Sequence, residues 1–283
     1  MDFRIKYLLV SGLLVFSNNV SAEFDHTHHD WNSVLKTHVG SALVDYKALS
    51  KDATTLDRYL GQLNSVSRRE VDSWARGKQL AFWINAYNAF TVRAILDHYP
   101  IKTRTIKGLV VPRNSIIQIP GVWKKLEWKA AGQVLTIDHI EHGILRPDFN
   151  EPRMHFAIVC ASIGCPDLRS EAYTHDKLEA QLKEQTLSFL SNSGKGVKLD
   201  YEKKKICVSQ LFKWYNEDFV VEVPDGVIIP ERNKQERVVL QFISHFLTDP
   251  KERKFLQSPD IDFDFLSYDW SLNDVSDPDD PSS

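Results

Sequence analysis

A single α+β domain with a mostly antiparallel sheet packed by helices is what this sequence predicts, on three observations. Stretches of helical apolar spacing and stretches of hairpin-like alternation share the chain without a steady βαβ rhythm. No internal repeat and no composition shift divides it. Of its 283 residues, 42% are hydrophobic and 11% aromatic, enough to fill a sizeable core. The formal net charge is only −3, and no basic run is interleaved with aromatics, so nucleic acid is not an expected partner.

The chain begins with a secretory pattern. Arg4 and Lys6 precede an apolar run from Tyr7 to Phe16, and Val20-Ser21-Ala22 has the small residues of a cleavage site. Residues 1–22 therefore read as a signal peptide, and the expected location is periplasmic or secreted. No later run is long and apolar enough to span a bilayer, so no stable membrane span is expected after cleavage. Export would place Cys160, Cys165 and Cys207 in an oxidising compartment. Three cysteines are too few for a disulfide framework, and at least one stays free.

Residues 23–66 read as a leader with helices. Glu23 to Asp30 holds three histidines and reads as solvated sequence, with metal binding by close-spaced imidazoles as the alternative. Trp31, Leu35 and His38 follow at helical spacing, and a further helix is predicted near 54–63. Ser67-Arg-Arg-Glu70 has capping-box form and starts a helix. Beyond Gly77, Leu80, Trp83, Ile84, Tyr87, Thr91, Ala94 and Ile95 recur on one face, up to Pro100. Asn85 and Asn88 sit one turn apart in it, either bonding to loop backbone or orienting a catalytic histidine.

A hairpin is predicted from Trp123–Trp128 and Gln133–Leu135 through Ala130-Ala131-Gly132, after which Thr136 caps a short helix ending before Pro147. Within it Asp138 and His142 are spaced i,i+4, which suits either a surface ion pair or a carboxylate holding an imidazole; Glu141 is adjacent. Met154–Cys160 has the length and composition of a buried strand, and Ser162-Ile-Gly-Cys-Pro166 leaves it abruptly. A helix from Asp176 to about Ser191, a hairpin around Glu202–Lys204, and a short helix after Ser209 follow. A short strand at Val227–Ile229, a helix over Gln235–Leu247 and a strand at Ile261–Phe265, continued by Tyr268–Asn273, complete the chain. Residues 274–283 are acidic and read as a disordered tail.

Five motifs in order resemble the domain-of-unknown-function 547 family. They are Phe82-Trp-Ile-Asn-Ala-Tyr-Asn88, Leu135–Arg146, Pro152–Pro166, Phe212-Lys-Trp-Tyr-Asn-Glu-Asp-Phe219 and Tyr268-Asp-Trp-Ser-Leu-Asn273. The resemblance implies one domain over about 67–273 in a family spread through bacteria, plants and animals, whose name assigns no reaction. Some members join it to a glutaredoxin module, which implies thiol or glutathione chemistry. Plant members are similar in keeping a cysteine at the position of Cys160 but carry serine at that of Cys165.

Three functional readings stand on the residues. A thiol-dependent hydrolase or acyltransferase, in a papain- or transglutaminase-like arrangement, would draw on Cys160 or Cys165, His155 or His142, and Asn88, Asp138 or Glu141. Arg153, Arg169, Asn85, Tyr87 and Ser162 would then bind a small molecule or peptide. Against it, Pro166 removes a backbone donor beside Cys165, and the His-before-Cys order reverses that of papain. The alternatives are a redox-structural Cys160/Cys165 pair and a non-catalytic binding module. No CxxC or HExxH pattern and no glycine-rich fingerprint occurs, so neither a metal nor a dinucleotide cofactor is expected. Substrate and oligomeric state stay open.

Overall fold

From Leu80 to Ile95 nearly every side chain is apolar, on all faces rather than along one stripe, and a helix of that kind has to be enclosed. In the computed structural model, which describes residues 23–101, 112–222 and 229–275, this stretch lies in a helix, Arg76–Leu96. Every residue from Leu80 to Ile95 except Arg93 is buried. The capping box holds, with the Glu70 amide donating to Ser67 Oγ at 3.1 Å, but its helix is short, Arg68–Ser73, and the chain turns before the central helix begins.

The helices His29–His38 and Thr54–Ser65 pack into the same apolar core as the central helix. The residues before them are not a solvated leader. Phe24 is buried against Trp74 and Phe82, and His28 is buried with its Nδ1 2.8 Å from the Tyr59 hydroxyl. Asp30 takes a two-pronged bond from Arg58, both at 2.7 Å. Aromatic side chains between the histidines supply the apolar area that histidine count alone conceals. Among the described residues no group of three or more His, Cys, Asp or Glu is placed to hold a metal ion.

The sheets are small. Glu127–Ala130 pairs antiparallel with Gln133–Thr136 through a two-residue turn. Ala131 and Gly132 both take positive φ there, +51° and +65°, as a tight hairpin requires. Val197–Asp200 pairs antiparallel with Lys205–Val208, and Asp262–Phe265 adds a parallel third strand. A second apolar cluster fills the space between this sheet, the helix Leu178–Ser191 and the helix Lys234–Phe246, with Phe156, Phe212, Phe219 and Phe242 at its centre. Mixed helices and few-stranded, mostly antiparallel sheets are the α+β architecture that the sequence predicts.

Two segments depart from expectation. Met154–Cys160 is buried but forms no strand: Pro152–Phe156 is a 3-10 turn and the chain then runs irregularly to Cys165. Its apolar content reports burial, which periodicity alone cannot tell from a strand. Tyr268–Asn273 does not prolong the strand before it. It crosses to the cysteine segment, where Ser162 bridges Leu272 and Gly164 N–H bonds to Asp269 O at 2.8 Å. A Cβ on Gly164 would meet the Asp269 backbone at 2.8 Å, so only glycine permits this approach. Asp274, expected in the tail, instead pairs with Val44. The signal segment 1–22, residues 102–111, the expected strand apart from Ile229, and the tail beyond Val275 lie outside the described residues. No helix among the described residues is long and apolar enough to cross a membrane.

Burial of His28 carries a pH consequence. Desolvation, with the neighbouring His26, lowers its pKa to about 3 from an ordinary 6.5. The unfolded chain therefore takes up a proton near pH 6.5 that the folded chain refuses, so stability present above 6.5 is lost as pH falls toward 3. At about 1.36 kcal/mol per pH unit the loss over that window is on the order of 5 kcal/mol. Urea unfolding between neutral pH and pH 4 is expected to show this slope in the wild type and a shallower one in His28→Gln. Equal slopes would contradict it.

Candidate active site

The cysteine segment is positioned by an amide. Asn88, on the central helix, donates through Nδ2 to Ala157 O at 2.9 Å and accepts at Oδ1 from Val159 N–H at 2.9 Å. One turn earlier, Asn85 does the same for Tyr173, donating to its carbonyl at 2.7 Å and accepting from its N–H at 3.0 Å. Each asparagine does for a buried loop what a partner strand does in a sheet. These bonds favour loop bonding over orienting a histidine for Asn88. Asn85, buried and bonded to Tyr173, does not line the cavity on which the cysteines open and so has no substrate-binding role there.

Just after the Asn88 clamp the chain delivers Cys160. Its Sγ lies 2.9 Å from Cys165 Sγ and 3.0 Å from the Tyr268 hydroxyl, with Ser162 Oγ at 3.8 Å. The Cys160 amide donates to Cys165 Sγ at 3.0 Å. Both cysteines are free thiols, too far apart for a bond between the sulfurs. The side-chain hydrogen bond between Cys160 and Cys165 lowers the Cys160 pKa against the opposing effect of burial, with Tyr268 and Ser162 adding to it. Burial first, and then the adjoining Cys160, push Cys165 well above the ordinary thiol range. The pair is thus divided into one sulfur disposed to carry negative charge and one that keeps its proton.

The sulfurs lie on a cavity of about 320 Å³. Tyr87 from the central helix, Glu141 and His142 from a π-helical turn, His155, and the rings of Trp123, Trp214, Tyr215, Tyr268 and Trp270 line it with them. The π turn, Ile140–Leu145, sits between α-helical turns at Ile137–His139 and Arg146–Phe149. The helix therefore continues past Pro147 instead of stopping before it, because proline is tolerated in a first turn. Such π-helical turns often mark functional sites.

Two carboxylates in and beside the cavity are tied to cations. Asp218 accepts from His155 Nε2 at 2.7 Å and from Arg146 Nε and Nη2 at 2.6 and 3.0 Å. Burial raises the Asp218 pKa, but the bonds from His155 and Arg146 outweigh it and hold the carboxyl well below the usual range. The His155 ring lines the cavity and stacks on Tyr215 with centroids 4.2 Å apart, while its Nε2 is engaged by Asp218. Arg146 Nη1 donates to His142 Nδ1 at 3.0 Å, and His142 Nε2 faces Asp138 at 3.8 Å.

Of the residues proposed from sequence, Cys160, Cys165, His155, His142, Asp138, Glu141 and Tyr87 converge on this cavity. Ser162 reaches the Cys160 sulfur but opens on a separate cleft. Arg153 and Arg169 do not belong to the site. Arg153 is bonded to Glu151 and Glu179, and Arg169 to Glu171 and Glu184, so neither guanidinium is offered to a substrate carboxylate. Sequence reasoning missed the site roles of Tyr268, Trp214, Tyr215, Asp218 and Trp270. Their signal was the density of aromatic and acidic residues in Phe212–Phe219 and Tyr268–Asn273, far from the cysteines in sequence.

Fold and site together define an α+β protein with a two-thiol, aromatic-walled cavity beside an Asp-held histidine. Residues 71–190 match the family model described as "Protein of unknown function, DUF547", which bears out the resemblance to that family over this span. No curated protein and no solved structure matches it. The matched span carries the central helix, the π turn and the cysteine segment. Tyr215, Asp218 and Tyr268 complete the site from beyond it.

Removing the Asn88 amide leaves the Ala157 carbonyl and Val159 N–H buried without partners. Asn88→Ala is expected to cost about 2–6 kcal/mol in urea unfolding, counting about 1–3 kcal/mol for each of the two orphaned groups. A loss below about 0.5 kcal/mol, the range of an ordinary surface change, would contradict the clamp.

Proposed function

We propose that the cavity is the active site of an exported thiol-dependent enzyme, a hydrolase or acyltransferase with Cys160 as nucleophile. The observation that carries this reading is the Cys160 sulfur on the cavity wall, held between Cys165 and Tyr268 with its pKa lowered. A thiolate is the reactive form, and these neighbours favour it without an adjoining cation. Export rests on the signal pattern of residues 1–22, with the periplasm or the cell exterior as destination.

In this reaction the Cys160 sulfur attacks an acyl carbon and a C–S bond forms. The bond to the leaving alcohol or amine breaks, and that group departs with a proton. Water, or a second nucleophile, then cleaves the thioester and restores the thiolate. We assign His155 to deliver and recover the proton, because Asp218 fixes the ring through Nε2 and the ring lines the cavity. A papain- or transglutaminase-like layout is the finer form of this reading, supported by a thiol and an Asp-held imidazole on one cavity. The sulfur's own partners are Cys165, Tyr268 and Ser162, so the proton passes to the ring through substrate or a bridging water.

One observation favours a second reading, thiol–disulfide exchange. Two free thiols 2.9 Å apart with opposite pKa shifts make an attacking and a resolving pair. Cys160 would attack a substrate disulfide and release one thiol. Cys165 would then displace the other, leaving an intramolecular disulfide and a fully reduced substrate.

Peptide mapping by mass spectrometry after treatment with p-nitrophenyl acetate separates the two. Acyl transfer is expected to leave a thioester on Cys160 in the wild type and in Cys165→Ser, and none in Cys160→Ser. If no thioester forms, and Cys165→Ser instead accumulates a mixed disulfide with a small disulfide reagent, the exchange reading replaces it. Neither adduct in any variant would contradict both and leave a binding cavity.

A further inference from the structure

Carboxylates enclosed by a protein are costly unless a cation or several donors accompany them. Around this cavity the acidic groups are treated unequally. Asp218 has Arg146 and His155, and Asp138 has Lys124 at 3.7 Å and His142 at 3.8 Å. Glu141 is the most enclosed of the three, at 6% exposure, and among the described residues no Lys, Arg or His forms an ion pair with it. Its hydrogen-bond partners are neutral: the Tyr87 hydroxyl donates to Oε2 at 3.0 Å, and the Tyr215 hydroxyl interacts with the same carboxylate, while Arg146, bonded to Asp218, acts on it only from beyond ion-pair distance.

The walls near it are aromatic. Trp214 stands against Tyr268 and Trp270 with centroids 4.9 and 5.9 Å apart, Tyr268 and Trp270 are 4.5 Å apart, and Trp123 meets Trp270 at 6.4 Å. Trp214 is 45% exposed, a degree of exposure that a purely structural tryptophan rarely keeps. Indole and phenol faces attract cations, and a carboxylate behind them supplies the balancing charge. The Tyr87 and Tyr215 hydroxyls feel both the Glu141 carboxylate and the Cys160 sulfur, so the negative groups share one end of the cavity.

We infer that the cavity takes a substrate bearing a positively charged head, an amine, guanidinium or quaternary ammonium, seated against Glu141 between Trp123, Trp214, Tyr215 and Trp270. The volume, about 320 Å³, suits a small molecule or the end of one side chain. The inference rests on the reading of Cys160 as the reacting group, since it places the cation beside that sulfur. It commits the site against anionic substrates, which would face both Glu141 and the thiolate.

Charged alkylating agents test it. Rates at Cys160, followed by peptide mapping at low ionic strength, are compared for cationic (2-bromoethyl)trimethylammonium, anionic iodoacetate and neutral iodoacetamide, each divided by its rate with a blocked cysteine. The cationic-to-anionic ratio is expected to exceed one by tenfold or more, and to collapse toward one in Glu141→Gln, which keeps the shape and removes the charge. A wild-type ratio at or below one, or a ratio that Glu141→Gln leaves unchanged, would overturn the inference. Should that variant not fold, calorimetric titration of the wild type with tetramethylammonium chloride decides. Saturable binding that Trp214→Ala weakens supports the cation site, and absence of binding overturns it. The neutral reagent keeps the two readings apart: a Cys160 no faster than blocked cysteine with iodoacetamide counts against the thiol enzyme, while the titration still reports on the cation site.

Discussion

The two hydrogen bonds between Asn88 and the backbone at Ala157 and Val159 are the constraint on which the site depends. They join the most enclosed helix of the protein to a segment that has no strand partner of its own. A loop that is buried must satisfy its amides and carbonyls somehow, and here a side chain does it. Because the clamp ends one residue before Cys160, the sulfur inherits the position of the central helix. Tyr87, the residue before Asn88, enters the same cavity from the same helix.

The other half of the site comes from far along the chain. Gly164 lets the Tyr268–Asn273 segment lie against the cysteine turn, and this brings the Tyr268 hydroxyl to the sulfur. Asp218 arrives from the short helical stretch after the second hairpin and fixes His155 and Arg146 at once. The pocket is therefore a junction between the two apolar clusters, with thiols from one side and Leu211 and Tyr215 from the other. A cleft at such a seam can be shaped by both parts without disturbing either core.

Much of this was legible in the residues. The α+β class, the capping box at Ser67, both hairpins and the main helices followed from period and turn chemistry. Seven of the residues proposed for the site do meet on one cavity. The strand expected at Met154–Cys160 failed because an apolar run declares burial and not the partner of its backbone, and that partner was an asparagine some seventy residues earlier, the separation of Val159 from Asn88. Arg153 and Arg169 were misplaced because a guanidinium is free or neutralised according to neighbours such as Glu179 and Glu184, which spacing does not reveal. Tyr268 and Asp218 were missed as site residues for a related reason. Tyr268 reaches Cys160 across 108 residues and Asp218 reaches His155 across 63, distances at which no local pattern operates.

The central claim is that Cys160 is the sulfur poised as a thiolate while Cys165 keeps its proton. Ultraviolet titration of thiolate absorbance in wild type, Cys160→Ser and Cys165→Ala measures it directly. A step is expected below the free-thiol value of about 8.5 that disappears in Cys160→Ser and moves upward in Cys165→Ala, which leaves no side-chain donor at that position. A Cys160-dependent step at or above about 8.5, or one that Cys165→Ala leaves in place, would contradict it.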